Sequence, residues 1–416
     1  MIEFKKYKLG DIADIIVSTV DKKTKPGQKV VRLCNFVDVY RNWAITHDLY
    51  DDFMVATASD VEIERFSIKK GQVAFTKDSE TRDDIGIATY IAEDFDDVVL
   101  GYHTALVTPN EDIILGKYLN AFMHSKYILK YFEMNATGSG MRYTLSLETL
   151  NDIPVLVPSL EEQKKIGDFF SAIDRKISLN RKANAELEAL AKQIYDYWFV
   201  QFDFPDANGR PYKSSGGKMV FDTVLKREIP SGWKSVLLTE IANITMGQSP
   251  DGKSYNTRSE GAVFFQGSTD FGDFAPAVRM YTTSPSRMAK TGDILMSVRA
   301  PVGALNLSST DCCVGRGLAA LNSKIGSTTY LYYVLQYAKS YFDKLNSSGT
   351  TFGAITKDDL HGVKTIMPDS TVLKKFESLC SKLMGERFKL FNENLKLAEL
   401  KNYVLPLLMN GQASIS

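Results

Sequence analysis

The chain repeats itself. LGDIADI at 9–15 returns as LTEIANI at 238–244, and IKKGQVAF at 68–75 returns as AKTGDILM at 289–296. GYHTALV at 101–107 is answered by GRGLAAL at 315–321. YLNAFMHSKYILKYF at 118–132 is answered by YLYYVLQYAKSYFDKL at 330–345. GSGMRYTLSLETLNDIPVLVP at 138–158 is matched by SSGTTFGAITKDDLHGVKTIMP at 347–368. Five correspondences in one order make the chain a degenerate tandem duplication, so whatever one half folds into, the other half folds into as well.

Each half ends in a long helical pattern. After Pro158, Ser159 with Glu162 three residues on is a capping box, and it marks a helix start. Ile166, Phe170, Ile173 and Ile177, then Leu187, Ala191, Ile194 and Trp198, recur at spacings of three and four. The second copy gives Phe376, Leu379, Leu383, Leu390, Leu397 and Val404. Asn184 and Asn394 interrupt the two stripes at equivalent places, as register-setting polar residues do in an apolar seam. Some forty residues at 1.5 Å each make helices of about 60 Å, too long for an apolar stripe to stay wet, so each stripe is expected to bury the other. Helix one leaves domain one for domain two and helix two runs back, which makes the pair antiparallel. The expected fold is α+β: two mixed α/β domains separated by a long antiparallel two-helix coiled coil, with a pseudo-twofold internal repeat. The segments are 1–157, domain one; 158–204, first helix; 205–229, a connector rich in Gly, Ser and Pro; 230–368, domain two; and 369–412, second helix.

No catalytic centre is legible. GQSPDGKS at 247–254 fits the phosphate-loop pattern, with Gly247 first and Ser254 last, but such a loop needs a helix beginning at Lys253. YNTRSEGAVFFQG follows instead, with no helical period, and the matching loop of domain one, STVDKKTK, keeps none of the fixed residues. GRGLAA at 315–320 likewise leads into no helix that could receive a pyrophosphate. The Asp369, Glu399 and Lys401 nuclease-like pattern fails because Glu399 and Lys401, two residues apart on a helix, diverge. Four scattered histidines make a metal site unexpected, and none is assigned. Four cysteines, with Cys312 and Cys313 adjacent in a strand-like run, read as buried thiols in a reducing cytoplasm. No apolar run is long enough to span a bilayer, so no membrane partner is expected.

IPVLVPSLEEQKKIGDFFSAIDRKI, followed by YWFVQFDFPDANGRPYKSSGGKMVF and IPSGW, closely resembles the specificity subunit of type I restriction–modification enzymes, and the likeness runs along nearly the whole chain. The second helix start, PDSTVLKKFESLCSKL, departs from the E-Q-K-K-I wording of the first. The resemblance implies a non-catalytic protein that binds double-stranded DNA. Each recognition domain reads one half of a bipartite site, and the helices serve as ruler and docking surface. It further implies two modification subunits that methylate adenine from S-adenosylmethionine, and two motor–nuclease subunits that use ATP and Mg2+. This chain itself would hold no cofactor.

Two similar, non-identical modules on a spacer suit two different half-sites, with affinity from phosphate contacts and specificity from base edges. Bulk charge divides the modules: residues 1–157 carry 18 Lys and Arg against 24 Asp and Glu, whereas residues 230–368 carry 13 against 10. Domain one is thus a poor polyanion binder overall, and partner subunits are expected to supply much of the phosphate affinity and the pocket for a flipped adenine. Candidate base readers are polar loop residues: Lys77, Ser79, Arg82, His103, Arg142 and Tyr143 in domain one, and Gln248, Ser249, Lys253, Arg258, Arg299, Arg316, Thr350 and Thr351 in domain two. His103, in a strand-like run, also reads as a satisfied core histidine. Two other readings stay open: a standalone two-module DNA-binding or scaffold protein, and an NTPase using the 247–254 loop.

Overall fold

Strands form where short apolar runs are hidden on both faces. VAFT at Val73–Thr76, ATYI at Ala88–Ile91 and ILMS at Ile294–Ser297 are buried throughout, as interior strands of a covered sheet must be. A computed structural model describes residues 3–140, 142–347 and 354–415. The chain divides into two compact units, Met1–Leu179 with Asn394–Ser416, and Asn180–Glu393.

In the first unit a five-stranded sheet runs in the order Ala13–Val17, Thr104–Pro109, Val73–Thr76, Ala88–Ile91, Ala44–Ile45. A second sheet sets Lys29–Cys34 between Met54–Ala58, antiparallel, and Val98–Leu100, parallel. Lys5–Lys8 pairs with Pro154–Val157, tying the chain start to the last strand before the long helix. Gly116–Met123 and Lys126–Asn135 are the helices of the Tyr-rich segment, and Tyr118, Phe122 and Phe132 lie in the main core with Val73 and Phe75. Gly116 cannot be larger, because a Cβ there would strike the Gly71 carbonyl.

The second unit repeats the plan. Ala242–Met246, Leu318–Ser323, Ile294–Ser297 and Leu305–Leu307 form a four-stranded sheet whose first three members take the places of Ala13–Val17, Thr104–Pro109 and Val73–Thr76. Ala262–Phe265 runs parallel to Cys312–Val314, just as Lys29–Cys34 does to Val98–Leu100. Lys234–Leu237 pairs with Lys364–Met367, repeating the pairing of Lys5–Lys8. The connector is more ordered than its composition implies: Met219–Asp222 and Arg227–Pro230 form a hairpin that closes the 205–229 segment and ends on Pro230. All four cysteines are buried thiols. No helix among the described residues is long and apolar enough to cross a membrane.

The long helices are Leu160–Tyr195, which passes into a π-helical turn at Asp196–Val200, and Ser370–Met409. Ser159 Oγ accepts from the Glu162 amide at 3.3 Å, the forward half of the capping box. Beside it Gln163, wholly buried, accepts from the Leu115 amide at 2.8 Å and donates to the Ile113 and Pro158 carbonyls. That side chain locks the helix start to the domain, which is the physical use of the Gln in E-Q-K-K-I.

Candidate DNA interface and helix seam

In the first unit three segments meet at one end of the five-stranded sheet. Val73–Thr76 continues through Lys77 into Asp78–Ser79, which pairs with Arg142–Thr144. The Lys77 amide donates to the His103 carbonyl at 3.0 Å, and the Leu145 amide donates to the Lys77 carbonyl at 2.9 Å. These main-chain bonds bring the turn at Tyr102 and His103 against both strands.

All six residues anticipated in domain one collect here, and three of them converge on a residue the sequence did not single out. Asp78, with its side chain 10% exposed, accepts from Lys77 Nζ at 3.2 Å, His103 Nδ1 at 2.6 Å and Arg142 Nη2 at 3.0 Å. Arg142 Nη2 also contacts His103 Nδ1, and Lys77 donates to Thr144 Oγ1 at 2.9 Å. Burial pushes the Asp78 pKa up, but hydrogen bonds from Thr144 and His103 and the Lys77 charge outweigh it and hold the carboxyl at about 2. The Arg82 guanidinium lies 5.0 Å from the Tyr143 ring centre, and Tyr143 stands opposite Ser79 in the strand pair. His103 is not a strand residue: it sits in a turn at φ 71°, half-buried, its ring 3.8 Å from that of Tyr102. Lys22, 6.0 Å from the Tyr102 ring, belongs to the same surface. Neither Lys22 nor Tyr102 was anticipated, because the run that holds Tyr102 and His103 reads as a strand in the sequence.

The same junction exists in the second unit, with other side chains. The Val298 amide donates to the Gly317 carbonyl at 2.9 Å and the Ile355 amide to the Val298 carbonyl at 2.8 Å, and Arg299 bridges Ala354. Val298 therefore stands where Lys77 stands, Arg299 where Asp78 stands, and Arg316 where Tyr102 stands. Ser249 Oγ accepts from the Arg316 amide at 3.2 Å and the Gln248 amide donates to the Val314 carbonyl at 3.0 Å, so Gln248, Ser249, Arg299 and Arg316 are brought together. Arg299 and Arg316 are exposed. Gln266, exposed against the Gly315–Gly317 turn through the bond from the Gly317 amide to its carbonyl, is a member the sequence did not suggest. Lys253 lies on the adjoining Gly252–Ser254 turn, and Arg258, just past the Tyr255–Asn256 strand, is held by Glu260 at 3.2 Å. Thr350 and Thr351 lie outside the described residues.

The 247–254 loop is no phosphate cradle. The Gly247 amide is taken by the Leu318 carbonyl, the Lys253 amide by Asp251 Oδ1 and the Ser254 amide by the Asp251 carbonyl. A three-residue 3-10 turn and a strand follow where a helix is required. Gly247 is small because a Cβ would strike the Gly315 carbonyl.

The seam is antiparallel within each unit. In the second, Asn184 Nδ2 donates to the Arg387 carbonyl at 3.0 Å and Tyr195 packs on Phe376. In the first, Asn394 Nδ2 donates to the Ile177 carbonyl at 3.4 Å, and Ile166 and Phe170 share a core with Leu405 and Leu408. The two asparagines, equivalent by sequence, thus make equivalent bonds. Ile166, Phe170, Ile173 and Phe376 are buried, while Ile177, Leu187, Ile194, Leu383, Leu390, Leu397 and Val404 are half-buried. Leu379 is exposed, and Cys380 and Met384 take the inner face, a one-residue slip from the expected stripe. Arg387, 1% exposed, was not foreseen in the seam: Nε donates to Asn184 Oδ1 and Nη2 to Glu188 Oε2, each at 2.8 Å, with the Phe274 ring centre 4.8 Å away.

The type I restriction modification DNA specificity domain matches residues 1–189 and 230–387. A Methanocaldococcus jannaschii protein assigned as the specificity subunit of type I restriction enzyme MjaX is 30% identical over 326 residues, covering 76% of this chain and 72% of that protein. The HindI type I restriction enzyme specificity subunit of Haemophilus influenzae is 22% identical, with 99% and 100% covered. The crystal structure of a type I restriction–modification S subunit from M. genitalium aligns over 98% of this chain and 96% of that one, with 13% identity and a TM-score of 0.56.

Proposed function

The chain belongs to the type I restriction–modification DNA specificity family, a family of DNA sequence recognition, and on that premise we propose that each unit reads one half of a bipartite DNA site. The observation that carries the reading is the junction built twice on one main-chain pattern: Lys77, Asp78, His103 and Arg142 in the first unit, Val298, Arg299, Arg316 and Gly317 in the second. One scaffold with two sets of side chains is what two different half-sites require. Arg299 and Arg316 carry the guanidinium fork that suits guanine, Arg142 offers a further guanidinium donor, and Gln248 and Gln266 carry the amide that suits adenine. The paired helices fix the separation of the half-sites and dock two DNA adenine methyltransferase subunits, and two motor–nuclease subunits complete the assembly. This chain is non-catalytic; S-adenosylmethionine, ATP and Mg2+ are used by the partners, which also flip the target adenine.

The test is selection from a random duplex library by the chain assembled with modification subunits. Two short conserved blocks separated by a constant unread gap are expected. A single contiguous block, or enrichment unchanged when this chain is omitted, contradicts the proposal. A chain that takes up no modification subunit, yet selects two blocks, favours the standalone binder instead.

A further inference from the structure

The first unit has an acidic balance, with 18 basic against 24 acidic residues in 1–157, yet Lys22, Lys77, Arg82, His103 and Arg142 are gathered at one end of its sheet. The lysine and arginine charges repel one another, and Asp78 lies at the base of this group as their counter-charge. Its two oxygens face Lys77, His103 and Arg142, all within 3.2 Å, and its side chain is almost out of water. A buried carboxylate is tolerated because these donors satisfy it. It fixes those donors in turn, since Arg142 is 58% exposed and would otherwise sample many rotamers. Arg142 spends one nitrogen, Nη2, on Asp78. That bond restricts the guanidinium and leaves its remaining N–H groups as single donors for a base edge.

The second unit sharpens the point. Where the first has Asp78, the second has Arg299, exposed and bridged through its main chain to Ala354, which stands where Thr144 stands. Charge at one structural position is inverted between two copies of one scaffold. Asp78 cannot itself approach the acceptor-rich edge of guanine or a phosphate, whereas Arg299 can.

Resting on the reading of the units as half-site readers, we propose that Asp78 is a positioning residue for base recognition, orienting Arg142 and His103 toward one base pair of the first half-site, and that Arg299 occupies the equivalent place in the second unit as a direct reader. The first half-site is thus read through Arg142 and His103 held by a carboxylate, and the second through Arg299 directly.

The experiment is methylation-site mapping on a library of duplexes with the wild-type assembly and with Asp78→Asn, Arg142→Ala and the double variant. Asp78→Asn keeps the side-chain shape and removes the charge. Discrimination at one base pair of the first half-site is expected to fall about tenfold or more, the scale of one hydrogen bond from a charged donor. The second half-site should stay unchanged, and Arg142→Ala should relax the same base pair with little further loss in the double variant. Arg299→Ala should relax only the second half-site. An Asp78→Asn assembly that keeps wild-type discrimination, or one that loses both half-sites alike while its melting temperature is preserved, overturns the proposal. Should Asp78→Asn fail to fold, His103→Ala and Arg142→Ala, both at partly exposed positions, must relax one and the same base pair; different base pairs or none overturn it. A wild-type assembly with no split motif defeats the reading of the units as half-site readers instead, and is recognised before any variant is made.

Discussion

Arg387→Ala offers a quantitative test of the helix seam in the second unit. The guanidinium is 1% exposed and donates at 2.8 Å to both Asn184 Oδ1 and Glu188 Oε2. Deleting it strands an amide oxygen, at about 1–3 kcal/mol, and a carboxylate that has lost its counter-charge. Breaking a buried ion pair from one side costs about 3–5 kcal/mol. Glu188 keeps 32% of its side chain in water and can rehydrate in part, which places the total near the lower end, about 3–4 kcal/mol. For a unit of this size each kcal/mol moves the melting temperature by about 2–4 °C, so a fall of about 10 °C is expected. Differential scanning calorimetry and urea titration of the full chain read it. Arg387→Met combined with Glu188→Gln should recover more than half, because neither charge is then left alone. A loss below about 1 kcal/mol for Arg387→Ala would refute the claim that the seam is held by this charge cluster.

Three further outcomes are expected. His124 is half-buried, stacked on Trp43 with ring centres 4.3 Å apart, and desolvation, followed by the nearby Lys401 charge, lowers its pKa to about 3 against the hydrogen bond to the Ala88 carbonyl. The unfolded chain takes up this proton near pH 6.5 and the folded unit does not. Stability is therefore complete above pH 6.5 and falls by up to about 1.4 kcal/mol per unit below it; His124→Leu should flatten that slope in urea titrations at pH 7.5 and 5.5. Gly247→Ala should destabilise by about 1–3 kcal/mol, because its Cβ meets the Gly315 carbonyl, whereas Lys253→Ala on the exposed turn should leave the melting temperature within about 1 °C. Phe376→Ala, which empties a site packed by Trp198, Phe199 and Tyr195, should cost about 3–5 kcal/mol in denaturant titration.

Much of this was legible because the duplication and the two helical stripes are long-range patterns, averaged over many residues. Single positions carry less signal. A stripe does not say which of Leu379 and Cys380 faces inward, since a small change in helical phase exchanges them, and it is Cys380 that is buried. A buried arginine looks in sequence like any surface cation; only the convergence of Asn184, Glu188 and Phe274 on Arg387 makes it tolerable inside. Candidate readers could be chosen by residue type and loop position, and the six in domain one do share a surface. Asp78 was not among them, because its role depends on contacts with His103 and Arg142, 25 and 64 residues away in sequence. His103 was misplaced because GYHTALV reads as one strand, whereas the backbone turns at φ 71° before the strand begins at Thr104. Composition likewise concealed the hairpin inside the connector, where MVFD and REIP pair across a short turn.

The central claim, that this chain reads two half-sites for a DNA adenine methyltransferase, is tested most directly by mapping adenine methylation across genomic DNA in cells with and without this chain, its modification subunits retained. Loss of methylation at one split motif, with two short blocks at constant separation, is the predicted result. A methylome that does not change contradicts it.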